Sequence, residues 1–243
     1  MPAFNRLTGG RLAIASLSIV VAALLLAVLG YRIALNVDVW HWWLPIVFVA
    51  GVATADFASG LVHWSADTWG RDDLPVVGQR LLVPFRVHHV NPDDFARRTF
   101  IDTNGDTALI TIPVAAALLA MPFSGAWGPP LAVFGFAFCA VGSMTNQIHQ
   151  WAHMPAPPRL IGMLQSCRVL LSRGAHAEHH AHPYDRHYCI TTGWCNRPLQ
   201  AIDFFRRMEL AITAVTRAVP RHDDRRYETQ FGVRASEPET RCG

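Results

Sequence analysis

Four apolar stretches dominate the first two thirds of the chain. Leu12 to Gly30 runs for nineteen residues without a charge. At about 1.5 Å per residue, that run reaches roughly 28 Å, close to the thickness of a bilayer's hydrocarbon core. Arg6 and Arg11 precede it, as in a signal peptide. The run is longer than a typical signal core and no small-x-small cleavage pattern leads into a polar domain, so it reads as a retained helix. Trp43 to Val62 is the second span, opened by an interfacial set of Trp40, Trp42 and Trp43. Thr107 to Phe123 is the third and Pro130 to Gln147 the fourth. The third is short and contains Pro113, which leaves a tilted or re-entrant hairpin open as an alternative. After residue 150 the pattern changes. Leu199 to Val219 alternates apolar residues and arginines at helical spacing and predicts one amphipathic, interfacial helix.

This pattern predicts an all-α integral membrane protein of about four transmembrane helices with a histidine-rich helical cap. Residues 1–35 would form the N-terminal transmembrane helix, 36–210 the main domain, and 211–243 a charged, flexible tail. Hydrophobic residues make up 51% and charged residues 16%, the reverse of the balance that keeps a chain disordered. All 21 cationic residues are arginine. Without lysine, neither Schiff-base chemistry nor a P-loop is available. The arginines cluster before the first span, between the second and third, and after the fourth, while the opposite loops hold only Arg32. The positive-inside rule therefore places both termini and the 63–106 loop in the cytoplasm, as for a bacterial inner-membrane protein. The five cysteines form no CxxC, which argues against a zinc ribbon or disulfide scaffold and agrees with a reducing compartment.

The histidines change the picture from architecture to chemistry. Of twelve, ten fall on the predicted cytoplasmic side: His63, His88, His89, His149, His153, His176, His179, His180, His182 and His187. His63 and Asp67 are four residues apart, as are His149 and His153, and His176 and His180. On a helix each pair shares a face. Adjacent His88 and His89 diverge by about 100° on a helix and could reach two different ions. A structural zinc needs only about four ligands. There is no HExxH, and no Glu-x-x-His set of the soluble di-iron bundle. Two iron ions held largely by neutral imidazoles fit the count best.

Several segments are similar to the Kua/CarF-like lipid desaturases, a family that includes the plasmanylethanolamine desaturases. They are Ala55-Asp56-Phe57-x-Ser59-Gly60-x-x-His63-Trp64-x-x-Asp67-Thr68-Trp69-Gly70, Pro84-Phe85-Arg86-x-His88-His89 and Thr103-Asn104-Gly105-Asp106. Asn146-Gln147-Ile148-His149-x-Trp151-x-His153 and Tyr188-Cys189-Ile190-Thr191-Thr192-Gly193-Trp194-x-Asn196 continue the resemblance, which runs from about residue 50 to 205. Val87 and the stretch Ala96–Phe100 depart from the animal members. His176-Ala177-Glu178-His179-His180-x-x-Pro183-Tyr184 looks more like the related plant chloroplast enzyme that desaturates palmitate on phosphatidylglycerol.

The resemblance implies an oxidoreductase of lipid metabolism, acting in plasmalogen biosynthesis or fatty acid metabolism. It would use a non-haem di-iron centre, O₂ and external electrons to place a double bond in an alkyl or acyl chain of a phospholipid. The implied metal ligands are His63, His88, His89, His149, His153, His176, His179 and His180. Asp56, Asp67, Glu178, Asp185, His182 and His187 are expected around them as hydrogen-bonding partners. Trp64, Trp69, Trp151, Arg97 and Arg98 are expected to meet the lipid. Asp102 to Asp106 is read as a turn whose Asp caps the third span. Ser59 and Gly60 are read as packing residues. Lacking haem and ferredoxin motifs, the chain would draw electrons from a separate cytochrome b5-like or ferredoxin donor; nucleic acid is not an expected partner. The residues leave open a palmitate-type acyl desaturase or a lipid hydroxylase and, more distantly, a non-enzymatic metal transporter or sensor.

Overall fold

The computed structural model describes residues 7–221. Among them every regular element is helical. In chain order they are α1 (Gly9–Asn36), α2 (Leu44–Thr68), a π-helical turn (Gly78–Leu82), α3 (Val83–Val90), α4 (Pro92–Ala96) and α5 (Phe100–Ala120). Then follow α6 (Gly128–Ser143), α7 (Thr145–His153), α8 (Arg159–Ser166), α9 (Arg173–Ala177), α10 (Asn196–Ala201) and α11 (Phe204–Thr216). The all-α membrane class expected from the hydropathy pattern is present. Helices α1, α2 and α5 are each long and apolar enough to cross a membrane, and α6 with α7 make a fourth candidate bent by 42°. Ile14, Leu17, Val20, Leu24 and Val28 of α1 stand exposed, as expected of a face that meets lipid.

Helix α1 packs on α5, α5 on α6, and α6 on α2. Close approach replaces the hydrophobic drive that lipid removes. A Cβ on Gly51 of α2 would lie 2.5 Å from the Phe134 carbonyl oxygen of α6, and one on Gly105 would lie 2.5 Å from Ala15 Cβ of α1.

Helix α5 begins at Phe100, earlier than the expected Thr107, and runs unbroken through Pro113. Asp102 to Asp106 is therefore helical rather than a turn, and Thr99, not an Asp, is the cap. Its hydroxyl accepts from Asp102 N–H and donates to Asp102 Oδ2. The turn-like residues are used sideways. Asn104 donates to Gln147 Oε1 at 2.9 Å, and Asn146 donates to the Thr103 carbonyl at 3.1 Å. These bonds seat α7 against α5. The chain bends by 42° between α6 and α7, at Met144.

The predicted helix from Leu199 to Val219 is two helices, α10 and α11. Asp203 adopts a left-handed φ of 50° between them. Beyond the break, Phe205 of α11 packs with Trp64 of α2 and with Tyr188. Residues 211–216, expected in the tail, complete α11. The tail from 222 onward lies outside the described residues.

Candidate metal centre

His63 projects from the last two turns of α2, His88 and His89 from α3, and His149 and His153 from α7. His176 lies in α9, which is too short to carry the other two; His179 and His180 follow it in a turn closed by the His176 carbonyl. The tertiary fold brings these eight together at one end of the spans. They form two groups: His88, His149, His153, His176 and His180, and His63, His88, His89 and His179. Within each group, one ring nitrogen per histidine lies within 4.8 Å of all the others. His88 belongs to both.

The ring tautomers are set by backbone carbonyls, which can only accept. His63 Nδ1 donates to the Tyr188 carbonyl at 3.0 Å and His179 Nδ1 to that of Arg186 at 2.8 Å. His88 Nδ1 donates to the Phe85 carbonyl. In all three the Nε2 lone pair is left pointing inward. His63 Nε2 and His88 Nε2 are buried and make no hydrogen bond, and neither oxygen of Asp67 makes one. Yet His63 Nε2 lies 3.1 Å from Asp67 Oδ2, with His89 and His179 Nε2 each 3.5 Å from the same oxygen. His89 Nε2 also lies 2.9 Å from His179 Nε2; three imidazole nitrogens converging this closely on one carboxylate match the donor set of a bound cation.

The second group makes the same point by geometry. The Nε2 atoms of His149, His153 and His176 form a triangle with edges of 2.9, 3.1 and 3.0 Å, and His180 Nε2 sits 3.0 Å from that of His176. A neutral imidazole nitrogen is either a donor or an acceptor. Three mutual neighbours therefore cannot all be paired. Nitrogens bound about 2.0–2.1 Å from one ion lie about 2.9–3.4 Å from each other in tetrahedral or octahedral geometry. The donor set thus fits one metal ion per group. Burial, with neighbouring imidazoles adding to it, holds His88, His89 and His176 well below the ordinary imidazole range, and burial holds His179 at about 3. His180 is lowered the same way. All five are therefore neutral and competent to bind metal at pH 7.

The residues expected around the ligands divide sharply. Asp67 sits on the four-histidine group. Asp56 does not reach a histidine. Its Oδ1 accepts from Thr191, Thr192 and Gly193 N–H and from the Thr191 hydroxyl, and its Oδ2 accepts from Cys195 N–H. It clamps the 191–195 segment to α2. Glu178 is exposed and faces His187 at 3.2 Å, Asp185 is exposed beside Arg186, and His182 is exposed against the Tyr184 ring. None of these touches a member of the two groups through those contacts. The orienting partners are the carbonyls of Phe85, Arg186 and Tyr188, which carry no residue-type signal in a sequence.

Of the residues expected to meet lipid, Trp64 is buried and donates to Glu209 Oε1 at 3.1 Å. Trp69 stands edge-on to Trp64, and Trp151 packs beside Ile148 and Ala152. Arg97 is exposed; the Arg98 guanidinium lies 5.0 Å from the centre of the Phe95 ring, itself packed on His149. Ser59 and Gly60 serve packing. Ser59 Oγ accepts from Ile190 N–H, and a Cβ on Gly60 would lie 2.4 Å from Cys189 Sγ. The partner so closely admitted is the 188–196 segment rather than another helix.

Comparison with known proteins agrees with this geometry. The chain is 44% identical to the plasmanylethanolamine desaturase of Myxococcus xanthus over 191 residues, 75% of this chain and 65% of that protein. It is 43% identical to plasmanylethanolamine desaturase 1 of Mus musculus, over 74% of this chain and 68% of the relative. A chloroplastic fatty acid desaturase 4-like protein of Arabidopsis thaliana is 33% identical over 71% of this chain and 58% of its own length. The chain thus spans just under two thirds of the bacterial relative. No solved structure matches. The lipid desaturase domain model matches residues 52–223, which take in both histidine groups and all three orienting carbonyls. The chain belongs to the lipid desaturase domain family.

Proposed function

We propose that the protein is a membrane di-iron desaturase that introduces a double bond into the alkyl chain of an ether phospholipid, forming a vinyl ether. The observation that carries this reading is the pair of histidine groups sharing His88, each spaced for one ion and joined to one end of an apolar bundle. His88, His149, His153, His176 and His180 would hold one iron. His63, His89 and His179, with His88 and Asp67, would hold the other.

The two ions would supply the oxidising power, drawn from O₂, that no side chain has. In balance, two hydrogens leave adjacent carbons, two external electrons and two protons enter, and O₂ becomes two waters. The chain's own residues bind and orient. The carbonyls of Phe85, Arg186 and Tyr188 fix which nitrogen of His88, His179 and His63 faces inward. Trp64, Tyr188 and Phe205 close the α11 side of the centre against water. Arg97, with Arg98 beside it, offers cationic groups near the interface for a phospholipid headgroup. The arginine distribution supports a cytoplasmic centre and cytoplasmic termini, where a separate electron donor would dock.

The ether-alkyl reading is supported by the higher identity to the two plasmanylethanolamine desaturases than to the chloroplastic protein. A transporter would place its ligands near the bilayer midplane; here they lie at and beyond the helix ends.

The test is iron per chain in purified protein, together with the lipidome of expressing cells supplied with ether lipid. About two irons and an ether lipid lighter by two hydrogens, lost in His179→Ala, are expected. An ester lipid lighter by two hydrogens would move the substrate to the acyl class. A lipid gaining oxygen would make the enzyme a hydroxylase, and zinc with an unchanged lipidome would refute desaturation.

A further inference from the structure

Glu209 of α11 is a carboxylate only 2% exposed. Four donor nitrogens from three side chains converge on it. Trp64 Nε1 donates at 3.1 Å, Arg206 at 3.2 Å, and Arg221 donates to both oxygens at 2.8 Å. Arg221 does more than neutralise the carboxylate. Its backbone N–H donates to the Thr68 carbonyl at the end of α2, and its guanidinium reaches the Tyr188 hydroxyl at 3.3 Å and Thr68 Oγ1 at 3.4 Å. A bidentate guanidinium–carboxylate pair is geometrically demanding, and a buried one is costly to break from either side.

Tyr188 links this clasp to the metal centre. Its carbonyl holds His63 Nδ1. Its ring lies 5.2 Å from that of His179 and 5.9 Å from that of His63. Its hydroxyl donates to the Tyr184 carbonyl at 3.0 Å, and the Tyr184 ring stacks on His89 at 4.6 Å with an interplanar angle of 6°. The clasp therefore reaches three members of the four-histidine group. Among the described residues, the histidine contacts named above for Glu209, Arg221 and Tyr188 fall on the four-histidine group and on no residue found only in the five-histidine group. That group is held from α7 instead, through Gln150, which donates to the Phe95 and Arg98 carbonyls.

We propose that Glu209 and Arg221 are positioning residues for one metal site of the two, acting through Tyr188 on His63, His89 and His179. The two sites are thus stabilised by different parts of the chain, and the one holding Asp67 depends on the segment after α11. This rests on the two-metal reading above, and its test is independent of lipid chemistry.

The experiment titrates metal-free, detergent-purified full-length protein with Co²⁺, followed by visible absorption and equilibrium dialysis. Wild-type protein should bind two ions. Arg221→Ala and Glu209→Gln should keep one site at wild-type affinity and weaken the other about 10–100-fold, the usual effect of losing a partner behind a ligand. Arg221→Lys, which restores a charge but not the fork, should fall between. Tyr188→Phe keeps the carbonyl and ring while removing the hydroxyl, and should weaken the same site less. It also serves if the charge variants do not purify as monodisperse protein. His63→Ala identifies which absorption band belongs to which site. Equal weakening of both sites, or unchanged binding in Arg221→Ala and Tyr188→Phe, would overturn the proposal. Fewer than two ions in the wild type would overturn the two-metal reading itself.

Discussion

Replacing Asp56 tests whether an intramembrane carboxylate acts on the metals or on the backbone. It accepts five hydrogen bonds, four at Oδ1 between 2.6 and 3.2 Å and one at Oδ2 of 3.0 Å. Four of the donors are backbone N–H groups of Thr191, Thr192, Gly193 and Cys195. Asp56→Ala would orphan all four, at about 1–3 kcal/mol for each buried donor. Simple addition gives about 4–12 kcal/mol. Relaxation and water entry reduce this to about 3–5 kcal/mol, the range of the largest single-site effects. Asp56→Asn keeps an oxygen for the Oδ1 donors but loses the charge and turns an amide toward Cys195 N–H. It should cost about 1.5–3 kcal/mol, the worth of one hydrogen bond to a charged group. At about 2–4 °C per kcal/mol for a chain of this size, Ala lowers the melting temperature by about 6–20 °C and Asn by about 3–12 °C. The assay is thermal unfolding in detergent by light scattering, with metal content measured on the same samples. Both variants should still bind two metal ions while folded. An Asp56→Ala protein with unchanged melting temperature and lost metal would refute this account and return Asp56 to the metal centre.

Two further outcomes follow from the same geometry. Gly60→Ala drives a Cβ to within 2.4 Å of Cys189 Sγ and 3.3 Å of Cys189 N and Cα. It should cost about 1–3 kcal/mol by overpacking, and thermal melts should show much of that recovered in Gly60→Ala with Cys189→Ala; no recovery would mean the backbone contact dominates. The metal-free protein should lose stability as pH falls. His88, His89, His176 and His179 are held neutral by burial, His179 down to about 3, whereas the unfolded chain takes up protons from about 6.5. Each such histidine removes up to about 1.4 kcal/mol per pH unit in that window. Melting temperatures of chelated protein measured from pH 8 to pH 5 should decline below about pH 6.5, and a flat profile would contradict the buried, neutral assignment.

Much of the protein is legible along the chain. Uninterrupted apolar runs give the spans because lipid leaves the backbone no partner but itself. The histidines stand out because their i,i+4 spacings repeat at the ends of those runs, and an imidazole has few bland reasons to recur there. Other features needed the fold. Asn104 has the local chemistry of a turn, and only its position opposite Gln147 of α7, beside the bond from Asn146 to the Thr103 carbonyl, makes a helix there the better use of it. Asp56 looks like a ligand's partner until the 191–195 segment, more than a hundred residues away, is laid across it. Which histidines share an ion, and that His88 belongs to both groups, depends on how α3, α7 and the turn after α9 meet. The carbonyls of Phe85, Arg186 and Tyr188 that set the ring tautomers are invisible in sequence, because every residue has one. Periodicity and composition report what each segment can bury or bind. Which of those capacities is exercised is decided by neighbours distant in sequence, since hydrogen bonds and metal bonds act over about 2–3 Å and only tertiary packing closes that distance.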